Sequence, residues 1–462
     1  MASSLDGGWS WVIVLASFMA QLLAFGSPQS VGVLYPEWLN AFHEGKGTTA
    51  WVGSLVSGVA LIAMCTNPCC IVCVVVFVVM VLGGSFCYII ACGGGSFVYL
   101  LTGMGCGLVY AATLTITCQY FDKRRGLALG IVTTGTSAGG FLYATAQNEL
   151  IELFGLDGCL LIVGALALNL MACAGPMRPL NLPGYYLKQK AALDATESSA
   201  HKSPVKELLI SMETGEPGAE PVCTQVVRVI KRRLRPQVEY LHTMGEYFQD
   251  RTFTAFCISL FLFSLGAFPP VLFMEDVAQS EGLIEHVAII PLVSIVAMAT
   301  GVGKLILGAL VDMRWVSGLL LYALTVVGTG VALLLVPGWK SYLGLQVLSA
   351  ALGFFSGNWS LTSYITTRIV GIERLSQAHG VLMCFGGFGI MLGPPVVGWF
   401  YDWTQSYNLA FYFSGCCVVL GGLILFLAAL PCWDQREKAR NVPEIDPDKQ
   451  NPSDCDKVAS VA

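Results

Sequence analysis

The sequence predicts an all-α membrane protein with twelve transmembrane helices in two six-helix halves. Three observations predict it. Hydrophobic residues make up 55% of the 462 positions and charged residues 12%, against about 25% charged in soluble domains. Mean hydropathy is +0.68. A soluble fold could not cover that much apolar surface with polar groups. The apolar residues fall in runs of roughly 20, the length that crosses a bilayer as a helix. Between Lys46 and Asp122 there is no Asp, Glu, Lys or Arg. Finally, the positive charges are segregated.

The runs place spans 1–6 near 9–34, 50–69, 71–91, 96–119, 126–147 and 156–176. Spans 7–12 lie near 252–274, 287–311, 315–336, 341–364, 377–400 and 408–431. This organises the chain as an N-terminal half 1–177, a linker 178–250, a C-terminal half 251–431 and a tail 432–462. The linker is rich in Pro, Glu, Ser, Lys and Thr, and such segments stay mostly disordered. Its KRRLRP stretch at 231–236 sets topology or touches anionic headgroups.

Lys and Arg are retained on the cytoplasmic side. With both termini inside, all but three of the 25 Lys and Arg fall on that side. Lys46 and Lys340 lie outside, and Lys304 lies within span 8. The N-terminus lacks the basic region of a cleavable signal. Most of the 17 cysteines lie in predicted spans, where a thiol behaves as a small apolar group. Cys70 and Cys73 form a lone pair without a second set of ligands, so no metal is expected. No cofactor and no nucleic-acid partner is expected; the lipid bilayer is the obvious one. Asn358-Trp-Ser matches a glycosylation sequon but sits mid-span. The five histidines all fall outside predicted span cores, and no nucleophile–base set stands out, so an enzyme is not expected.

Two halves joined by a linker suggest repeats with a site at the membrane midplane between them. Glycines at helical spacing, such as Gly126, Gly130, Gly135 and Gly139 in span 5, allow close helix approach. Pro269, Pro270, Pro394 and Pro395 break or bend helices. Lys304 is the leading site candidate. An ionisable residue within a span costs roughly 2.5–3.5 kcal/mol even on the lenient insertion scale, and it marks function by default. Asp312 marks the cytoplasmic end two turns away, so a structural ion pair or snorkelling is the weaker alternative. Asn358, Trp359 and Tyr364 in span 10 could bond a carboxylate or face a cation. Thr113 and Thr117 rank low, because threonine often bonds its own backbone. Trp9 and Trp11 suit the headgroup level, and Asp6 precedes them. Lys123, Arg124 and Arg125 open span 5, where they fix topology or pair with acidic groups on closure. Asp312 and Arg314 form a similar element after span 8.

DGGWSWV at 6–12, YFDKRRGLALG at 120–130 and LGPPVVGWFYD at 392–402 resemble motifs of the monocarboxylate transporters, a branch of the major facilitator superfamily. The resemblance covers about 5–178 and 250–432. It implies alternating access and charged latches on the cytoplasmic face. It also implies a site built on spans 1 and 8. In the proton-coupled lactate carriers, span 8 holds an acidic residue four positions before a basic one, and span 1 holds a lysine after a proline. The basic position matches Lys304, but the acidic one matches Thr300 and the lysine matches Gln29. Neither a hydroxyl nor an amide shuttles protons near pH 7. The resemblance therefore implies a plasma-membrane carrier of small monocarboxylates or of carboxylate-bearing zwitterions, creatine- or carnitine-like, without obligatory lactate–proton symport. The alternatives are a proton-coupled lactate or pyruvate carrier, or a non-transporting scaffold. Some relatives need a single-span glycoprotein chaperone. The superfamily's basic loop between spans 2 and 3 is missing here, which either weakens the latch at that point or marks an altered sequence in this region.

Overall fold

The computed structural model describes residues 6–30, 46–64, 95–167, 169–177, 245, 247–270, 273–274, 277, 292–313, 315–339, 341–372 and 374–429. Span 3, nearly all of the linker, the tail after 429, Arg314 and the Cys70–Cys73 pair lie outside them. Every described element is helical. Span 1 is Gly8–Gln29, span 2 Lys46–Ala63 and span 4 Gly95–Tyr120. Spans 7, 8 and 9 are Arg251–Ala267, Leu292–Val311 and Gly318–Leu335. Spans 11 and 12 are Leu375–Thr404 and Asn408–Ala428. Among the described residues, six helices are long and apolar enough to cross a membrane.

Spans 5 and 6 depart from the expected loop near 148–155. Helix continues from Arg125 to Ala167, broken only at Gly155 (φ 70°, ψ 179°), and a last turn covers Leu170–Ala174. The residues before Gly155 include Glu149, Leu150, Glu152 and Leu153, good helix formers with no proline among them. Only glycine adopts the Gly155 conformation easily, so the break falls there. Span 11 runs through Pro394 and Pro395 without ending, whereas Pro269 and Pro270 follow the end of span 7.

Span 10 does break. Tyr342–Ser356 and Trp359–Val370 are separated by Gly357 and Asn358. The amides of Gly357 and Asn358 bond the carbonyls of Phe354 and Phe355, at 3.1 and 3.2 Å. These i→i+3 bonds make a 3₁₀ turn, a common hinge inside longer helices.

The packing repeats with a six-span offset. Span 1 packs on span 5 and span 7 on span 11; span 2 packs on span 4 and span 8 on span 10. Among the described residues the halves meet mainly through two helix pairs, spans 2 with 11 and spans 5 with 8, with a smaller contact of span 10 on span 5. Side chains such as Leu15, Leu343 and Leu420 face outward, as lipid contact requires. Tryptophans mark both ends of the bundle. Trp9 and the 96% exposed Trp315 lie at the end bearing Lys123–Arg125, here called the basic face. Trp339, Trp399 and Trp403 lie at the opposite face. This is the aromatic belt of a membrane protein.

The span 5–span 8 crossing is glycine on glycine. A Cβ on Gly130 would stand 2.6 Å from the Lys304 carbonyl oxygen, and one on Gly308 would stand 2.6 Å from that of Gly126. Both obstacles are backbone and cannot swing aside. Gly130→Val or Gly308→Val is therefore expected to cut the monodisperse folded yield at least fivefold in detergent chromatography. Gly8→Ala, with nothing within 4 Å of its added Cβ, should not. Equal yields for all three would show that the crossing is not tightly packed.

Candidate substrate-binding site

Lys304 is 5% exposed and lies eight residues before Asp312, about 12 Å along the helix at 1.5 Å per residue. Its side chain does not snorkel. It crosses to span 5, where Nζ donates to the Thr133 carbonyl at 3.0 Å, Thr136 Oγ1 at 2.6 Å and Ser137 Oγ at 3.0 Å. Positions 133, 136 and 137 are spaced i, i+3, i+4, so they share one helix face. Bonds from a charged donor contribute roughly 1.5–3 kcal/mol each and act against the cost of placing an ammonium there. None of the three acceptors is an anion.

A cavity of about 130 Å³ opens beside this contact, between the halves. A single water needs only about 10–15 Å³, so a small solute fits. Lys304, Gln29, Thr300 and Trp359 line it, together with Thr136 and Ser137. Thr300 keeps its proton on its own helix, 2.7 Å from the Val296 carbonyl. Phe25, Tyr110, Phe263, Phe268 and Trp359 supply aromatic walls. No acidic side chain is among the described lining residues.

Two expected site residues lie elsewhere. Asn358 is fully buried at the span 10 turn, outside the cavity lining, and its side-chain amide has no hydrogen-bond partner among the described residues. Its neighbour Gly357 packs on the backbone of Gly303 and Lys304, which leaves span 10 no room to turn position 358 inward. Tyr364 lies at the basic face, where its hydroxyl accepts from Arg368 at 3.1 Å and its ring lies under the guanidinium. Thr113 and Thr117 bond their own backbone, and Thr113 also accepts from Gln21. His379, expected outside a span core, is buried in span 11 beside Ser363 Oγ.

The motif residues assemble differently from a set of charge pairs. Asp6, at φ 60°, donates its amide to the Tyr120 carbonyl and accepts the Lys123 amide. Trp11 packs edge-on against Phe121, so only Trp9 of the two is largely exposed. Arg125 folds back onto the Phe121 carbonyl and Asp122, while Lys123 and Arg124 are exposed. Asp312 pairs with neither. Its carboxylate accepts the amides of Gly126 and Leu127, both at 2.9 Å, at the N-terminus of span 5. The opposite face repeats the device. Asp402, ending span 11, accepts the amides of Lys46 and Gly47 at the N-terminus of span 2, at 3.3 and 3.1 Å. The Lys46 ammonium lies 3.9 Å from the Tyr401 ring centroid and 3.2 Å from Tyr407 Oη.

Comparison with known proteins accounts for this architecture. The family model described as Major Facilitator Superfamily matches residues 13–328 and, in a second match, 251–454. Chicken (Gallus gallus) Monocarboxylate transporter 9 is 46% identical, over 93% of this chain and 94% of its own. The mouse protein (Mus musculus) of that name is also 46% identical, over 95% and 96%. Human (Homo sapiens) Monocarboxylate transporter 14 is 33% identical, over 95% and 93%. The chain belongs to the monocarboxylate transporter family of the major facilitator superfamily. The crystal structure of the human organic anion transporter MFSD10 (TETRAN) shares the fold, with a TM-score of 0.57 and 16% identity over 90% of this chain and 99% of that one. This monocarboxylate transporter family member is thus a multi-pass membrane transporter and not an enzyme.

Sequence reasoning passed over Thr133, Thr136 and Ser137, although TTGTS at 133–137 is a hydroxyl cluster inside an apolar span. It also quoted Asp402 only as part of a motif. An anion on a helix N-terminus contributes about 0.3–2 kcal/mol. Asp402→Asn is expected to raise thiol-reagent access to a cysteine at position 29 from the opposite face several-fold. Asp312→Asn should do so from the basic face. An equal rise from both faces in either variant would show that these bonds latch neither.

Proposed function

We propose that the chain is a secondary transporter of the plasma membrane, with both termini cytoplasmic. In this reading it carries small monocarboxylates or carboxylate-bearing zwitterions of creatine or carnitine type, by alternating access. The observation that carries the reading is a buried ammonium whose partners among the described residues are all neutral, on the wall of a cavity between two repeats. Such a site attracts an anion. Lys304 takes the carboxylate, a role suited to a compact charge with three donors. The aromatic walls accept the other end of the solute, and a cationic end gains from their faces. Gln29, in place of a second lysine, leaves room for that positive charge. Thr300 and Gln29 cannot relay protons near neutral pH, so obligatory lactate–proton symport is disfavoured.

Labelled lactate, pyruvate, creatine and carnitine should be offered to cells expressing the chain, at two pH values, with and without sodium. Parallel cells should carry a single-span glycoprotein chaperone, which some relatives require. Saturable uptake with counter-flow, not driven by acid for lactate, is the expected result. Acid-driven lactate accumulation would instead establish the proton-coupled carrier. Lys304→Ala is expected to abolish carboxylate transport with surface expression intact. Lys304→Met, which fills the same space without a charge, should do the same. Unchanged kinetics in both would reduce Lys304 to a packing role.

A further inference from the structure

The three bonds to Lys304 do more than make its burial tolerable. An ammonium has three donors, and here all three are taken by one helix of the other half. The cradle is oriented to accept. Thr136 Oγ1 gives its own proton to the Thr133 carbonyl at 2.8 Å, which turns its lone pairs toward Nζ. Thr133 Oγ1 likewise donates away from the site, to the Leu129 carbonyl at 2.8 Å. Thr136 and Ser137 border the cavity, so a carboxylate arriving there reaches the ammonium only by taking over one of their bonds.

We propose that the Thr133 carbonyl, Thr136 and Ser137 are a built-in stand-in for the substrate carboxylate. They satisfy Lys304 when the site is empty and so let the empty carrier change face. The inference rests on the reading that Lys304 binds the substrate carboxylate. A carrier whose buried charge is balanced only by its substrate pays a heavy desolvation cost on crossing empty. It is then confined to exchange. A neutral cradle removes that confinement, and net transport needs no counter-substrate. Thr136 and Ser137 are positioning residues here: they act on the substrate through Lys304.

The test uses the full chain in liposomes, with creatine and carnitine as probes and the variant Thr136→Val/Ser137→Ala. Net uptake into empty vesicles is expected to fall at least tenfold more than exchange into preloaded ones. The half-saturating concentration should drop, because the substrate no longer competes with the cradle. Thr136→Ser/Ser137→Thr, which keeps both hydroxyls, should restore net uptake. A second readout needs no substrate. Fluorophores at the exposed positions Lys123 and Met313 report the separation of the halves at the basic face. The empty wild type should alternate between two separations, and the empty double variant should dwell in one. Adding Lys304→Met to the double variant should restore alternation, since no charge is left to satisfy. Equal losses of net uptake and exchange, or an empty double variant that alternates like wild type, would overturn the cradle. Failure of both probes to be transported by the wild type would instead sink the reading of the substrate, and the fluorescence experiment would still decide the cradle.

Discussion

A positive charge in the middle of an apolar helix is the constraint around which the rest of this molecule is arranged. Lys304 needs acceptors, and lipid offers none. Span 5 provides them on a single face, but only because spans 5 and 8 cross on glycine, near enough for a lysine on one to reach the backbone of the other. The 3₁₀ turn of span 10 backs the same point, with Gly357 against Gly303 and Lys304. Close packing, a broken helix and a cavity thus converge on one ammonium, as expected where two repeats share a midplane site.

The two carboxylates at the bundle ends express the same economy of charge. Asp312 and Asp402 each end a helix of the C-terminal half, and each accepts two amides at the start of a helix of the N-terminal half. Orphan amides and the positive end of the helix dipole make such termini natural anion sites. The two contacts lie on opposite faces and tie together the same two helix pairs that join the halves. The described donors to both carboxylates at the helix starts are backbone amides, which leave no trace in a charge count along the chain; that count pointed only to Lys123, Arg124 and Arg125 as partners for acidic groups at the basic face.

Much of the architecture was legible because it follows from one-dimensional rules. Apolar length marks spans, and Lys304 stands out as the one Lys or Arg inside the predicted ones. Boundaries were less legible where helix formers ran on, as before Gly155, and where a short 3₁₀ turn hid inside the apolar run of span 10. The site was half legible. Lys304, Gln29, Thr300 and Trp359 reach one cavity, whereas Asn358 and Tyr364 do not, because helix rotation decides which way a residue faces and the turn at Gly357 and Asn358 resets that rotation within span 10. The partners of Lys304 were hidden for another reason. They sit on a different half, and one of them is a backbone carbonyl, which has no signature in any sequence.

Gly155 has a mechanical consequence. A single residue joins spans 5 and 6, so the helix changes direction there without an intervening loop. Span 6 docks back on span 1 through its last turn, Leu170–Ala174, and span 1 packs on span 5. Spans 1, 5 and 6 thereby close a ring of contacts within the N-terminal half, with Gly155, the most permissive residue type, as the point where that ring bends.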